Sequence, residues 1–184
     1  MIILPWREHF IQKNFIEYSF RTEDIDFVPD YNLFKTLSPA EQYYLAQNFN
    51  WDDGATVLNW IIESPKCDKG TALLIFWSAE PIDYIQETEK TIPDYEIETF
   101  SLLQKITERF RKNDFKTAKF RFNPGAKVNT IDWNKNYEGW DLPISLKDEI
   151  KGSIPLSIGA IRYMIWEWQR KRKLAKREAR KKRR

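Results

Sequence analysis

Ala72-Leu73-Leu74-Ile75-Phe76-Trp77, entered through Cys67-Asp68-Lys69-Gly70-Thr71 and left near Glu80-Pro81, is apolar on every side of a helix. A helix without a polar face is packed all round, so this segment is predicted to be the central helix, covered by the rest of the chain. Upstream, Ser38-Pro39-Ala40-Glu41 sets Ser at the N-cap, Pro at the first helical position and Glu at the third. That capping box opens a helix to about Asn48, with Tyr44, Leu45 and Phe49 turned inward. Asp52-Asp53-Gly54 then offers an N-cap for a helix over Ala55 to Glu63, with Leu58, Ile61 and Ile62 as its apolar face and Pro65 as its stop. Downstream, Pro93-Asp94 precedes a longer helix whose stripe is Phe100, Leu103, Ile106 and Phe110. Glu96 and Glu98 stand in its first turns and Arg109, Arg111 and Lys112 in its last, as the helix dipole favours, and Asn113-Asp114 breaks it.

The remainder is less periodic. Residues 15–28 alternate in places, with Ile16, Tyr18 and Phe20 and then Ile25 and Phe27, and suggest one or two short strands before Pro29. Lys116 to Phe122 alternates like a half-buried strand that stops at Asn123-Pro124-Gly125. Residues 126–153 are loop-rich, with Trp133 and Trp140 as anchors. Ile158, Ile161, Ile165 and Trp168 repeat at helical spacing, but the same stripe next meets Lys171 and Arg172, so burial is expected to end near Trp168. At 184 residues there is room for one well-buried core. The expected fold is mainly α with a small β element: a compact single-domain helical bundle with one or two short strands over 1–168, followed by a basic tail over 169–184, helical or disordered.

Charge divides the chain in the same place. Arg170 to Arg184 carries eleven Lys or Arg and one acid, Glu178, on a chain whose total is +3. Positions 1–169 are left with 19 basic and 26 acidic residues, a net charge near −7. A basic protein would be drawn to the body, and nucleic acid or an anionic membrane to the tail. The single cysteine, Cys67, excludes an intramolecular disulfide, and with His9 the only histidine there is no His/Cys set for structural zinc. A reducing cytoplasm is the expected location. Met1 to Glu8 shows no basic signal region, and the longest apolar stretch, Ile154 to Trp168, is interrupted by Arg162 and Glu167.

The residues with chemical potential each have a structural alternative. Asp52 and Asp53 are a possible carboxylate pair, but adjacent acids at a turn before a helix more commonly cap its free N–H groups, and Asp68 before Gly70-Thr71 reads the same way. Gly54 and Gly70 suit permissive backbone angles or close packing, since no glycine-rich phosphate loop surrounds either. Cys67 lacks a neighbouring base and reads as a buried structural thiol, and His9 as a packing or surface residue. In 116–122, alternation sets Lys119 and Arg121 opposite Phe120 and Phe122, which argues for a core strand rather than a nucleic-acid stacking platform.

The turn Asn50-Trp51-Asp52-Asp53-Gly54 and the stretch Cys67 to Trp77 together resemble an uncharacterised bacterial family, domain of unknown function 4274, whose members share a WDDG turn and a GTALLIFW-like helix. The resemblance covers roughly residues 38–80 and marks Trp51, Asp52, Asp53, Gly54, Asp68, Gly70 and Thr71 as its structural motif. It implies a small bacterial cytoplasmic protein and, because some members look like companions of polymorphic toxins, an immunity role. It carries over no reaction.

The expected activity is therefore non-enzymatic binding, without cofactor or metal. The leading reading is an immunity protein that neutralises a cognate bacterial polymorphic or contact-dependent toxin. Its partner contacts would be the densest negative run, Glu87, Glu89, Asp94, Glu96 and Glu98. The alternative is nucleic-acid or anionic-membrane binding through Arg170, Lys171, Arg172, Lys173, Lys176, Arg177, Arg180, Lys181, Lys182, Arg183 and Arg184. An enzyme acting through Asp52 and Asp53 alone is the third reading.

Overall fold

A computed structural model of the chain describes residues 1–16 and 28–181. In chain order its elements are β1 (Ile2–Ile3), α1 (Pro5–Ile11) running into a π turn over Gln12–Ile16, α2 (Tyr31–Lys35), α3 (Pro39–Asn48), α4 (Thr56–Glu63), α5 (Lys69–Ser78), α6 (Ile97–Lys112), β2 (Leu156–Ser157) and α7 (Ile158–Lys181). The fold is mainly α with a small two-stranded element. α5 is central: every residue from Gly70 to Trp77 is buried, and α3, α4 and α6 pack against it.

Local chemistry explains the helix starts. Ser38 Oγ accepts the Glu41 N–H at 3.4 Å while Glu41 Oε2 accepts the Ser38 N–H at 2.7 Å, closing the capping box of α3. The other Glu41 oxygen takes the Arg7 guanidinium, which ties α1 to α3. Burial pushes the Glu41 carboxyl up, but Arg7 and the Ser38 donors outweigh it and hold the group below its ordinary value.

The start of α4 differs from expectation. Asp52 and Asp53 do not cap it; they lie in a separate 3-10 turn, Trp51–Asp53, whose own cap is the Asn50 side chain. The N-cap of α4 is Ala55, which has no side-chain acceptor, and its N–H is taken at 3.1 Å by Glu98 Oε2 from the start of α6. Gly54 makes this approach possible: its φ of +76° is left-handed, and a Cβ there would stand 3.2 Å from the same Glu98 oxygen.

The β structure also lies elsewhere than the alternation suggests. β1 and β2 pair in parallel, Ile2 with Leu156 and Ile3 with Ser157. Phe15 and Ile16, read as the beginning of a strand, belong to the π turn, where Phe15 is buried edge-on against Phe34; residues 17–27 of that reading lie outside the described residues. Lys116 to Phe122 is extended but meets its neighbours only at isolated bridges, Phe120 with Ser153 and Phe122 with Ile150. Its alternation is as read: Phe120 is buried while Lys119 and Arg121 are exposed. In the loop that follows, Trp133 donates to the Val128 carbonyl at 2.9 Å and Trp140 to that of Glu87 at 3.0 Å, so both indoles act as anchors.

α7 runs from Ile158 to Lys181 without a break at Trp168. Burial ends a full three turns earlier than the apolar spacing implies: from Gly159 onward every described side chain is at least partly exposed, with Ile165 at 52% and Trp168 at 56%. The stripe exists, but the described body covers it only in part at Ile158 and Ile161 and leaves Ile165 and Trp168 exposed.

Candidate functional site

A heavily bonded polar group at the start of α5 is structural. Asp68 is fully buried at the N-cap of α5. One carboxylate oxygen accepts the N–H groups of Gly70 at 2.9 Å and Phe120 at 3.1 Å; the other accepts the Thr117 hydroxyl at 2.6 Å and the Lys119 N–H at 2.7 Å. It thus both starts the central helix and clamps the extended 117–120 segment to it. Gly70 and Thr71 follow directly, both buried, and the missing side chain of Gly70 leaves space for the Phe120 carbonyl. Four donors are spent on this one carboxylate, which accounts for its burial.

Its neighbour Cys67 is unsuited to chemistry. Burial pushes the thiol up to about 12, with Asp68 adding to the rise and Arg109 opposing it. A thiol kept protonated at neutral pH is a poor nucleophile. The folded protein should therefore fail to react with a disulfide reagent at pH 8 on the timescale of a free thiol, and should release one equivalent when denatured; fast labelling of the native state would refute this.

A groove of about 870 Å³ opens between the C-terminal half of α6, the end of α4 and the 139–141 loop. Its ionic side chains pair largely with one another: Lys105 with Glu63 at 2.6 Å, Arg111 with Glu108 and with Asp141 at 3.8 Å, and Arg109 with Asp114 at 3.6 Å. Arg109 also donates to the Ile62 carbonyl at the end of α4 and lies over the Phe115 ring. A groove neutralised from within has little left to orient a charged ligand.

The start of α6 is different. From Glu80 to Glu98 the chain holds seven acids and one base, Lys90, and folding draws part of this run together. Tyr84 feels Glu96, Asp83 and Tyr95; burial is the main cause that raises its phenol, those three add to the rise, and a hydrogen bond with Thr99 opposes it. Glu98 reaches across to Ala55, which sets the Trp51–Asp53 turn with its two acids beside the same helix start. Next to Glu98 and Ile97 a shallower groove of about 320 Å³ runs along α4 past Trp60, whose ring meets that of Tyr31 at 5.2 Å. Tyr95 projects from this face, 84% exposed between Asp94 and Glu96, with Ile97 at 45%.

Of the acids expected to meet a partner, Asp94, Glu96 and Glu98 stand here, whereas Glu89 lies within the separate Thr88–Thr91 turn and Glu87 just before it, its carbonyl accepting from Trp140. Glu98 has a second duty, the N–H of Ala55. Sequence reasoning missed Tyr95, Ile97, Tyr31 and Trp60. The alternation Asp94-Tyr95-Glu96-Ile97-Glu98 was the available signal for the first two; Tyr31 and Trp60 become neighbours only on folding. In the tail, Arg170, Lys171, Arg172 and Lys173 are exposed on α7, and Lys176, Arg177, Arg180 and Lys181 continue its backbone. Lys182, Arg183 and Arg184 lie outside the described residues.

The four helices that build the core and the acidic face are consecutive, and their sequence answers to a known family. Residues 38–111 match the family described as a domain of unknown function, DUF4274. The DUF4274 match runs from the Ser38 cap through nearly all of α6, so it takes in the WDDG turn, Asp68 though not the 117–120 segment it clamps, Tyr95 and Glu98, and it extends well beyond the 38–80 stretch that the two motifs mark. β1, α1, β2 and α7 lie outside it. No curated protein and no solved structure matches the chain. Among the described residues no helix is long and apolar enough to cross a membrane, and no group of three or more His, Cys, Asp or Glu is placed to hold a metal ion.

Proposed function

We propose that the protein acts by docking the acidic face at the start of α6 onto a basic protein partner, in the manner of an immunity protein that neutralises a cognate bacterial toxin. The observation that carries this reading is Tyr95: a large aromatic side chain, 84% exposed, framed by Asp94 and Glu96 and adjoining exposed Ile97. Interfaces draw their affinity from a few aromatic anchors set within a polar rim, and opposite potentials speed encounter and disfavour wrong partners. Many toxic nucleases are basic, which suits a body of net charge near −7.

Affinity capture from the native host should test this, with the wild-type chain, Tyr95→Ala and Asp94→Lys as parallel baits. The expected result is one basic protein, retained by wild type, lost from both variants and eluted by salt, whose expression alone arrests growth and whose co-expression with the wild-type chain does not. Thermal midpoints of the two variants should match wild type, because neither side chain is packed. Retention of the same partner by Tyr95→Ala and Asp94→Lys would place the contact elsewhere.

A further inference from the structure

We infer that the end of the molecule formed by β1, β2 and the first half of α7 is a docking surface for an anionic lipid bilayer. This is independent of the acidic face. Of the fourteen large apolar side chains exposed among the described residues, nine fall in two short stretches, 1–6 and 154–168. The fold makes these one neighbourhood: β1 pairs in register with β2, α7 follows β2 directly, and a Cβ on Gly159 would stand 3.1 Å from Glu8 of α1. Ile2 is 58% and Trp6 65% exposed in the first stretch, and Ile165 and Trp168 are more than half exposed in the second. A concentration of exposed apolar groups on a soluble-sized domain marks an interaction site.

The charge next to it selects the partner. Immediately beyond Trp168 the same helix enters the run of eleven Lys and Arg, and Arg172 already lies over the Trp168 ring at 4.6 Å. Apolar stripe, interfacial tryptophan and dense positive charge in succession are what a helix lying in the headgroup region of an anionic leaflet requires. A nucleic acid would meet the charges but leave Ile2, Trp6 and Ile165 in water, since phosphate contacts bury no aliphatic surface. A second copy would cover the apolar groups only by bringing two basic runs together, which repel.

The test is co-sedimentation of the full chain with phosphatidylcholine vesicles with and without phosphatidylserine, at low and high salt, read also by tryptophan emission. Binding should require phosphatidylserine, weaken with salt and shift the emission to the blue. Ile165→Ser with Trp168→Ser removes apolar surface at constant charge and should weaken binding by about tenfold or more, while Tyr95→Ala should bind as wild type does. Three results would each overturn the inference: no binding to phosphatidylserine vesicles, vesicle binding unchanged by the double serine substitution, or duplex DNA bound more tightly than vesicles and indifferently to that substitution. Self-association that the double substitution abolishes, in a chain that ignores vesicles, would assign the face to a second copy instead.

Discussion

Gly70→Ala is expected to be the most damaging single methyl group that can be added to this protein. A Cβ at that position would stand 1.9 Å from the Phe120 carbonyl oxygen and 2.8 Å from its carbon, and 3.2 Å from the Asp68 carboxylate. Ordinarily, replacing glycine by alanine inside a helix stabilises it by about 1 kcal/mol. Here the sign reverses, because neither backbone can retreat: Phe120 is held by its N–H to Asp68, and its ring is buried against Tyr43 at 5.3 Å. Moving the 117–120 segment away would break the Asp68 clamp, and moving α5 would disturb the central helix. A loss of about 4 kcal/mol is expected, at the upper end for overpacking. In a chain of this size that corresponds to a fall of roughly 8–16 °C in the thermal midpoint. A midpoint within about 2 °C of wild type would mean that the helix and the extended segment are not in the contact described.

Asp68→Asn should cost nearly as much, through electrostatics rather than volume. The carboxylate accepts four donors, three of them backbone N–H groups. Asparagine keeps one acceptor oxygen and presents an NH2 to two of those donors, leaving buried N–H or O–H groups without a partner. About 3 kcal/mol of destabilisation is expected, and Asp68→Ala should behave alike. Thr117→Val removes a single donor and should cost only about 1 kcal/mol. Since Gly70 and Asp68 hold the same segment, their losses should be clearly less than additive in the double variant. Urea unfolding followed by circular dichroism measures all of these variants, the Gly70→Ala single included. Additive losses would show that the clamp and the close approach are separate features.

The capping box at Ser38, the stop at Pro65 and the Phe100-to-Phe110 stripe all depend on residues within a few positions of one another, and each stands in the structure where the sequence places it. So do α5 and its cap at Asp68, because an all-apolar helix has no alternative to the centre. The exceptions share a cause. Asp52 and Asp53 were well placed to cap α4, yet a carboxylate 43 residues downstream, Glu98, took the Ala55 N–H; only the packing of α6 on α4 made that partner available. The short parallel pair of β1 and β2 joins the two ends of the body, a contact no local alternation can encode.

What the sequence determined by itself was the helical class, the central helix, most of the helix boundaries and the split of charge between body and terminus, because periodicity, capping and charge are properties of neighbours along the chain. The tertiary structure alone decided that Asp68 gathers four donors, that Gly70 must have no side chain, that Tyr95 stands out from an acidic face, and that Ile165 and Trp168 of the α7 stripe stay exposed. Each of those depends on which distant segment comes to lie opposite, and burial is a property of that encounter rather than of spacing.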